Sequence, residues 1–273
     1  MGVVNITPDS FSDGGLFLDP PAAIALALQL IDEGADLIDL GAESTRPGAA
    51  PTLTADEEQA RLLPVLQGIL KARPQAILSV DTYKAATAHS ALAAGAEIIN
   101  DVSGFLWDSN LSAVCAKAGC GVVLMHTRGQ PHQWATLPQL GSNSILATVH
   151  NGLQASLQNA LTAGIDPESI VLDPGYGFGK RGADNFALLA RQQELLALGR
   201  PLLAGLSRKS FLGKALALLY QGNPAPVQSR ETASLAALVA AILNGASIVR
   251  VHQVRPAVEA ALIADAIHAQ PAN

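Results

Sequence analysis

Apolar residues along the chain gather into eight short runs, each cut off by polar or glycine-bearing residues. Longer stretches of helical period separate them. The runs are Val3-Val4, Leu37–Gly41, Ile77–Asp81, Ile98–Asp101, Val122–His126, Ile170–Asp173, Leu202–Gly205 and Ile248–His252. Helices are predicted over Pro20–Glu33, with Ile24, Leu28 and Ile31 on one face, and from a capping box at Thr54–Glu57, where Pro64 predicts a kink or restart. Others are predicted over Lys84–Ala94, Asn110–Ala118, Ile145–Ala163 and Asp184–Leu198, in two segments split by Gly222-Asn223-Pro224, and from Arg255 onward; Asp166-Pro167 reads as a turn. Gly34-Ala35-Asp36, Gly95-Ala96-Glu97 and Gly245-Ala246-Ser247 repeat one punctuation between helix and strand, suited to a helix end that needs positive φ. Eight alternations without a linker predict an α/β fold, a single (β/α)8 TIM barrel filling residues 1–273, with an open doubly wound sheet as the alternative.

Composition narrows the function. At 49% hydrophobic the chain has material for a large core, and a net charge of -6 gives no basic field for nucleic acid. With 4% aromatic residues, stacked-base or sugar platforms are disfavoured. Cys115 and Cys120 lack metal-site spacing and read as structural thiols of a reducing compartment. No leader pattern or long apolar run is present, so the expectation is a cytoplasmic protein with no membrane partner.

Candidate chemistry sits at the ends of the strands. In the stretch from Val171 to Lys180, Pro174-Gly175 breaks a strand directly after Asp173, and Lys180 closes the loop. The same form recurs at Asn5, at the Thr45-Arg46 loop, and at Asp81, Asn100, His126, Lys209, Arg250 and His252. An Asp or Asn at any single tip caps a helix as readily as it binds a ligand. Polar residues at nearly every tip favour a closed ring with one active face. Asp81, Asn100 and Asp173 supply acceptors for a flat heterocycle such as a 2-amino-4-oxopyrimidine. Arg46, Arg250, His252 and Lys209 suit phosphate oxygens, and Asn5 offers a neutral oxygen to Mg²⁺. Displacement of phosphate or pyrophosphate from a heterocycle-bearing carbon follows as the expected reaction.

The segments MGVVNITPDSFSDGG, GAESTRPGA, SVDTYK, IINDVSG, VVLMH, VLDPGYGFGK, GLSRKSFLG and IVRVH, in this order from Met1 to His252, resemble the dihydropteroate synthase family. The resemblance implies a barrel that joins 4-aminobenzoate to 6-hydroxymethyl-7,8-dihydropterin diphosphate, releasing pyrophosphate in folate synthesis. It implies a pterin site at Asp81, Asn100, Asp173 and Lys209, walled by Val102, Met125, Gly205 and Phe178. By the same resemblance Asn5 is the Mg²⁺ ligand, Thr45, Arg250 and His252 grip the diphosphate, and Arg46 belongs to the same mobile loop as Thr45. Ser210, Arg208, Phe178 and Pro47 form the aminobenzoate side, and the protein is a homodimer through barrel helices such as Ser234–Leu243.

Three features depart from that family's pattern. The chain starts at its first strand, which predicts a less protected barrel floor. Thr127-Arg128-Gly129 replaces Met-Gln-Gly, and Gln253 replaces an Asp after His252, which predicts a change in how His252 is oriented. A catalytically silent pterin-binding paralogue and a pterin-dependent methyltransferase are the competing readings. The second has no need of the cations at Arg208, Lys209, Arg250 and His252.

Overall fold

A computed structural model describes residues 1–7, 19–43, 53–134 and 136–270. Its eight strands are β1 Gly2–Asn5, β2 Leu37–Gly41, β3 Ile77–Asp81, β4 Ile98–Asp101, β5 Gly121–Met125, β6 Ile170–Asp173, β7 Leu202–Ala204 and β8 Ala246–Val249. They pair in parallel, each with the next in chain order. Beyond β8, Val251 bridges back to Gly2. The Val3 amide donates to the Val251 carbonyl at 3.0 Å and the Val251 amide to the Met1 carbonyl at 3.0 Å, which joins the last strand to the first. The predicted (β/α)8 barrel is therefore the fold observed.

Helices α1 Pro20–Asp32, α2 Ala55–Ala72, α3 Ala85–Ala93, α4 Leu111–Ala118, α5 Ser142–Thr162, α6 Ala183–Ala190, α7 Ser210–Ala215, α8 Glu231–Leu243 and α9 Val254–His268 lie between and after the strands. After α6 the chain runs on as a 3-10 segment, Gln192–Leu198, which shortens the helix expected there. Gly34, Gly95 and Gly245 adopt φ of 105°, 109° and 89°, as their place between helix and strand requires.

The face of α1 turned to the barrel is Ala23, Ala27 and Leu30, with Ile24, Leu28 and Ile31 only partly buried. Small residues let α1 approach the sheet, and Ile24 instead packs sideways over Gly68 of α2. A Cβ at Gly68 would stand 2.2 Å from the Ile24 side chain. Pro64 does not restart α2, which runs as one helix across it. Its ring lies on the exposed side, where water can satisfy the carbonyl of Ala60 that proline leaves without a donor. The Thr54–Glu57 capping box is formed.

Two apolar layers hold the barrel. The larger lies between sheet and helices, and includes Ile38, Leu40, Leu78, Ile99, Leu124 and Leu172. The smaller fills the barrel interior with Met1, Val123 and Leu203, flanked by Leu37, Ile98, Val171 and Ile248. Side chains alternate along a strand. The residues two positions on from this interior layer therefore face the same way and form the floor above it: Asp39, Asn100, Met125, Asp173, Gly205 and Arg250.

Candidate active site

Above this floor opens a cavity of about 510 Å³ at the carboxyl ends of the strands. Asn5, Asp81, Asn100, Val102, Met125, Asp173, Phe178, Gly205, Arg208, Lys209, Ser210, Arg250 and His252 all line it. Residues far apart in sequence are thus brought together. Thr45, Arg46 and Pro47 lie outside the described residues.

The floor is a network centred on a residue that the sequence reading passed over. Asp39, in mid-β2, is fully buried. It accepts from Ser79 Oγ at 2.6 Å, Asn100 Nδ2 at 3.0 Å and Arg250 Nε at 2.6 Å. Arg250 also donates through Nη2 to Asp81 at 3.0 Å. Burial works against the Arg250 cation, but Asp39 and Asp81 outweigh it and raise its pKa. Burial pushes the Asp81 carboxyl up to about 7; Arg250 pulls it back, while Asp39, Glu58 and Asp101 add to the rise. Burial also raises Asp173, opposed by the Gly175 amide, which donates to Oδ1 at 2.7 Å, and by Lys209, Lys180 and Arg250. The site thus contains carboxylates that gain by meeting hydrogen-bond donors or positive charge.

One wall is cationic and aromatic. Lys209 Nζ stands 4.0 Å from the centroid of the Phe178 ring, and Trp134 meets that ring edge-on with centroids 5.0 Å apart. Trp134 and Arg230 line the cavity and carried no sequence signal beyond their residue type. Arg208 adopts a left-handed φ of 59°, held by its amide donating to Ser234 Oγ at 2.9 Å and by Arg230 Nη1 donating to its carbonyl at 3.0 Å. Ser210 is the first residue of the six-residue α7, so its amide lies in that helix's first turn. His252 Nδ1 is 3.0 Å from Ser207 Oγ. Gln253, whose substitution raised the question of His252 orientation, is exposed at the N-cap of α9 and forms no side-chain cap bond.

His126, at the end of the fifth predicted strand run, and Lys180, which closes the loop after β6, do not line the cavity. His126 is buried outside the barrel, close enough to α5 that a Cβ on Gly152 would stand 2.4 Å from its ring. Burial, with Lys180 and Arg128 nearby, lowers its pKa to about 2. Lys180 is a strut: its Nζ donates to the carbonyls of His126 at 2.9 Å, Gly175 at 2.7 Å and Phe178 at 3.2 Å.

Asn5 lines the cavity and offers it a neutral side-chain oxygen, the donor type that a largely hydrated Mg²⁺ takes. Its Oδ1 and Asp81 Oδ2 flank the bare Gly41, lying 3.7 Å and 3.8 Å from where a Cβ would be. Among the described residues no group of three His, Cys, Asp or Glu could hold a metal ion.

Fold and cavity together define a (β/α)8-barrel enzyme whose carboxylate floor and cationic wall suit a heterocycle bearing an anionic group. The family model for pterin-binding enzymes matches residues 1–252. The dihydropteroate synthase of Mycobacterium leprae is 43% identical, over 99% of this chain and 94% of its own. The Yersinia pestis dihydropteroate synthase, solved with a sulfonamide drug complex, superposes with a TM-score of 0.90 at 39% identity, covering 99% of this chain and 94% of its own. The Xanthomonas albilineans enzyme, solved with 4-aminobenzoic acid, gives 0.87 at 41% identity, covering 99% and 93%. The chain belongs to the pterin-binding enzyme family, and its function is that of a dihydropteroate synthase, a transferase of folate synthesis.

Proposed function

We propose that the cavity binds 6-hydroxymethyl-7,8-dihydropterin diphosphate with the pterin on the floor and the diphosphate toward His252, and that 4-aminobenzoate enters beside Phe178. The observation that carries this reading is the set of three acceptors, Asp81, Asn100 and Asp173, in one cavity with Arg250, His252 and Lys209. The acceptors take N–H donors of the pterin edge, each charge-assisted bond contributing about 1.5–3 kcal/mol. Lys209 closes the ring from the Phe178 side. Breaking the carbon–oxygen bond to diphosphate leaves positive charge on the pterin methyl group, which Asp81 and Asp173 stabilise from below. The leaving oxygens are met by His252, oriented through Ser207, and by Arg250. The aniline nitrogen of 4-aminobenzoate then attacks that carbon and loses its proton to solvent. Its carboxylate is directed to Arg208 and the first turn of α7.

Thr45 and Arg46 complete the diphosphate grip in this proposal. Asn5 would hold Mg²⁺, which when bound supplies charge neutralisation to the leaving group. A cytoplasmic homodimer is part of the same reading. Its support is apolar exposure on α9, where Leu262, Ile263 and Ile267 are 63%, 63% and 53% exposed, beside Leu243 of α8. This shifts the expected surface from α8 toward α9, because Ser234, Ala237, Leu238 and Ala241 of α8 pack inward.

The test follows pyrophosphate and dihydropteroate together, with the diphosphate substrate, Mg²⁺ and 4-aminobenzoate. Equal release of both is expected, falling on chelation of the metal while pterin still binds. Pterin binding with no turnover under any metal condition would instead establish the silent paralogue.

A further inference from the structure

We propose that Asp39 is a positioning residue for pterin recognition, fixing which face of the Asn100 amide meets the ligand. The proposal rests on the pterin site described above. An asparagine in a binding site is ambiguous, since its amide offers a donor on one side and an acceptor on the other, nearly equal in shape. Here the ambiguity is removed from below. Asp39 is fully buried and acceptor-only when ionised, so the amide side turned to it must be Nδ2, and the 3.0 Å contact is from Nδ2. Asn100 lines the cavity, which leaves Oδ1 as the atom it offers to a ligand. Ser79 Oγ on one oxygen of Asp39 and Arg250 Nε on the other prevent the carboxylate from rotating away. The strand register adds stiffness: Asp39 pairs with Ser79 across β2 and β3. With Asn100 Oδ1 set as an acceptor, Asp81, Asn100 and Asp173 together present acceptors to the cavity and select a heterocycle whose edge carries donors.

The alternative role for Asp39 is a plain counter-ion to Arg250. The two roles separate in variants. In Asp39→Asn one oxygen remains and can accept from Asn100 Nδ2, so orientation survives while charge is lost. In Asp39→Ala no acceptor remains and the Asn100 amide is free to flip. Dissociation constants are measured by calorimetry for 6-hydroxymethylpterin and its 2-deamino analogue, with wild type, Asp39→Asn and Asp39→Ala. Asp39→Leu, which fills the volume with carbon, is read identically if the alanine variant does not fold. The wild type is expected to prefer the amino-bearing ligand, Asp39→Asn to keep that ratio within about threefold, and Asp39→Ala or Asp39→Leu to lose about tenfold of it, one hydrogen bond's worth. An unchanged ratio in Asp39→Ala or Asp39→Leu overturns the proposal. So does a loss in Asp39→Asn as large as theirs, which would assign Asp39 to charge alone. A wild type without preference instead refutes the underlying pterin site.

Discussion

Asp81 makes the pterin site sensitive to pH in a direction opposite to that of the empty fold. Its carboxyl is pushed up to about 7 by burial, against the pull of Arg250 at 3.0 Å and with Asp39, Glu58 and Asp101 adding to the rise. At pH 6 only about one-tenth of such a group is ionised, and each further unit removes another factor of ten, about 1.4 kcal/mol. A ligand that donates to the carboxylate loses affinity by that factor. Pterin affinity should therefore be flat above about pH 7.5 and fall roughly tenfold per unit below 7. Folding responds with the other sign. A carboxyl whose folded pKa is raised favours the folded state fully below its ordinary range near 3.8, and that contribution is lost as pH rises through about 7. Relative to Asp81→Asn, the empty wild type should gain thermal stability between pH 7.5 and 5.5 while its pterin binding weakens. Calorimetric titrations and melts of both proteins across this range supply the comparison. Affinity that stays level or rises below pH 7 would refute the reasoning.

Three further outcomes are expected. Lys180→Met leaves three carbonyls without their shared donor, a loss of about 3 kcal/mol or more at ~1 kcal/mol each. The melting temperature should drop by roughly 6–12 °C, and an unchanged melt would remove Lys180 as a strut. Gln253→Asp restores a side-chain acceptor at the N-cap of α9 and should stabilise by about 0.5–1 kcal/mol in denaturant unfolding. The pH profile of turnover should stay put, and a shifted profile would return Gln253 to the tuning of His252. Trp134 lines the cavity and Trp107 packs on Tyr83 outside it. Quenching of tryptophan emission by pterin should survive Trp107→Phe and vanish in Trp134→Phe, and the reverse pattern would misplace the ligand.

Much of this was legible in the sequence because a barrel of parallel strands writes itself as apolar runs with polar ends. The glycines at 34, 95 and 245 marked the returns, and Asp81, Asn100 and Asp173 marked the tips. What the ends alone conceal is facing. Asn100 and Asp101 are adjacent, so strand alternation sends only one into the cavity. Asp101 turns out and accepts from the amides of Ser103 and Phe105 at 2.8 and 2.6 Å. Met125 faces in, which sends His126 out under α5. Asp39 was missed because it lies two residues short of its strand's end. Its signal was an ionisable residue within Leu37-Ile38-Asp39-Leu40, a run whose neighbours are all apolar.

The contact between Arg250 and Asp39 joins residues 211 positions apart. It clasps the last strand to the second, across the seam where the barrel's beginning and end meet. The cavity is lined from Asn5 to His252, by residues of both halves of the barrel. Occupancy therefore reports on the whole chain having closed. A ligand held at one hundred times its dissociation constant would add about 2.7 kcal/mol to the stability of that closed state. Such a compound would rescue destabilised variants anywhere in the barrel, including those far from the atoms it touches. The yield of folded protein would then follow the supply of its own substrate.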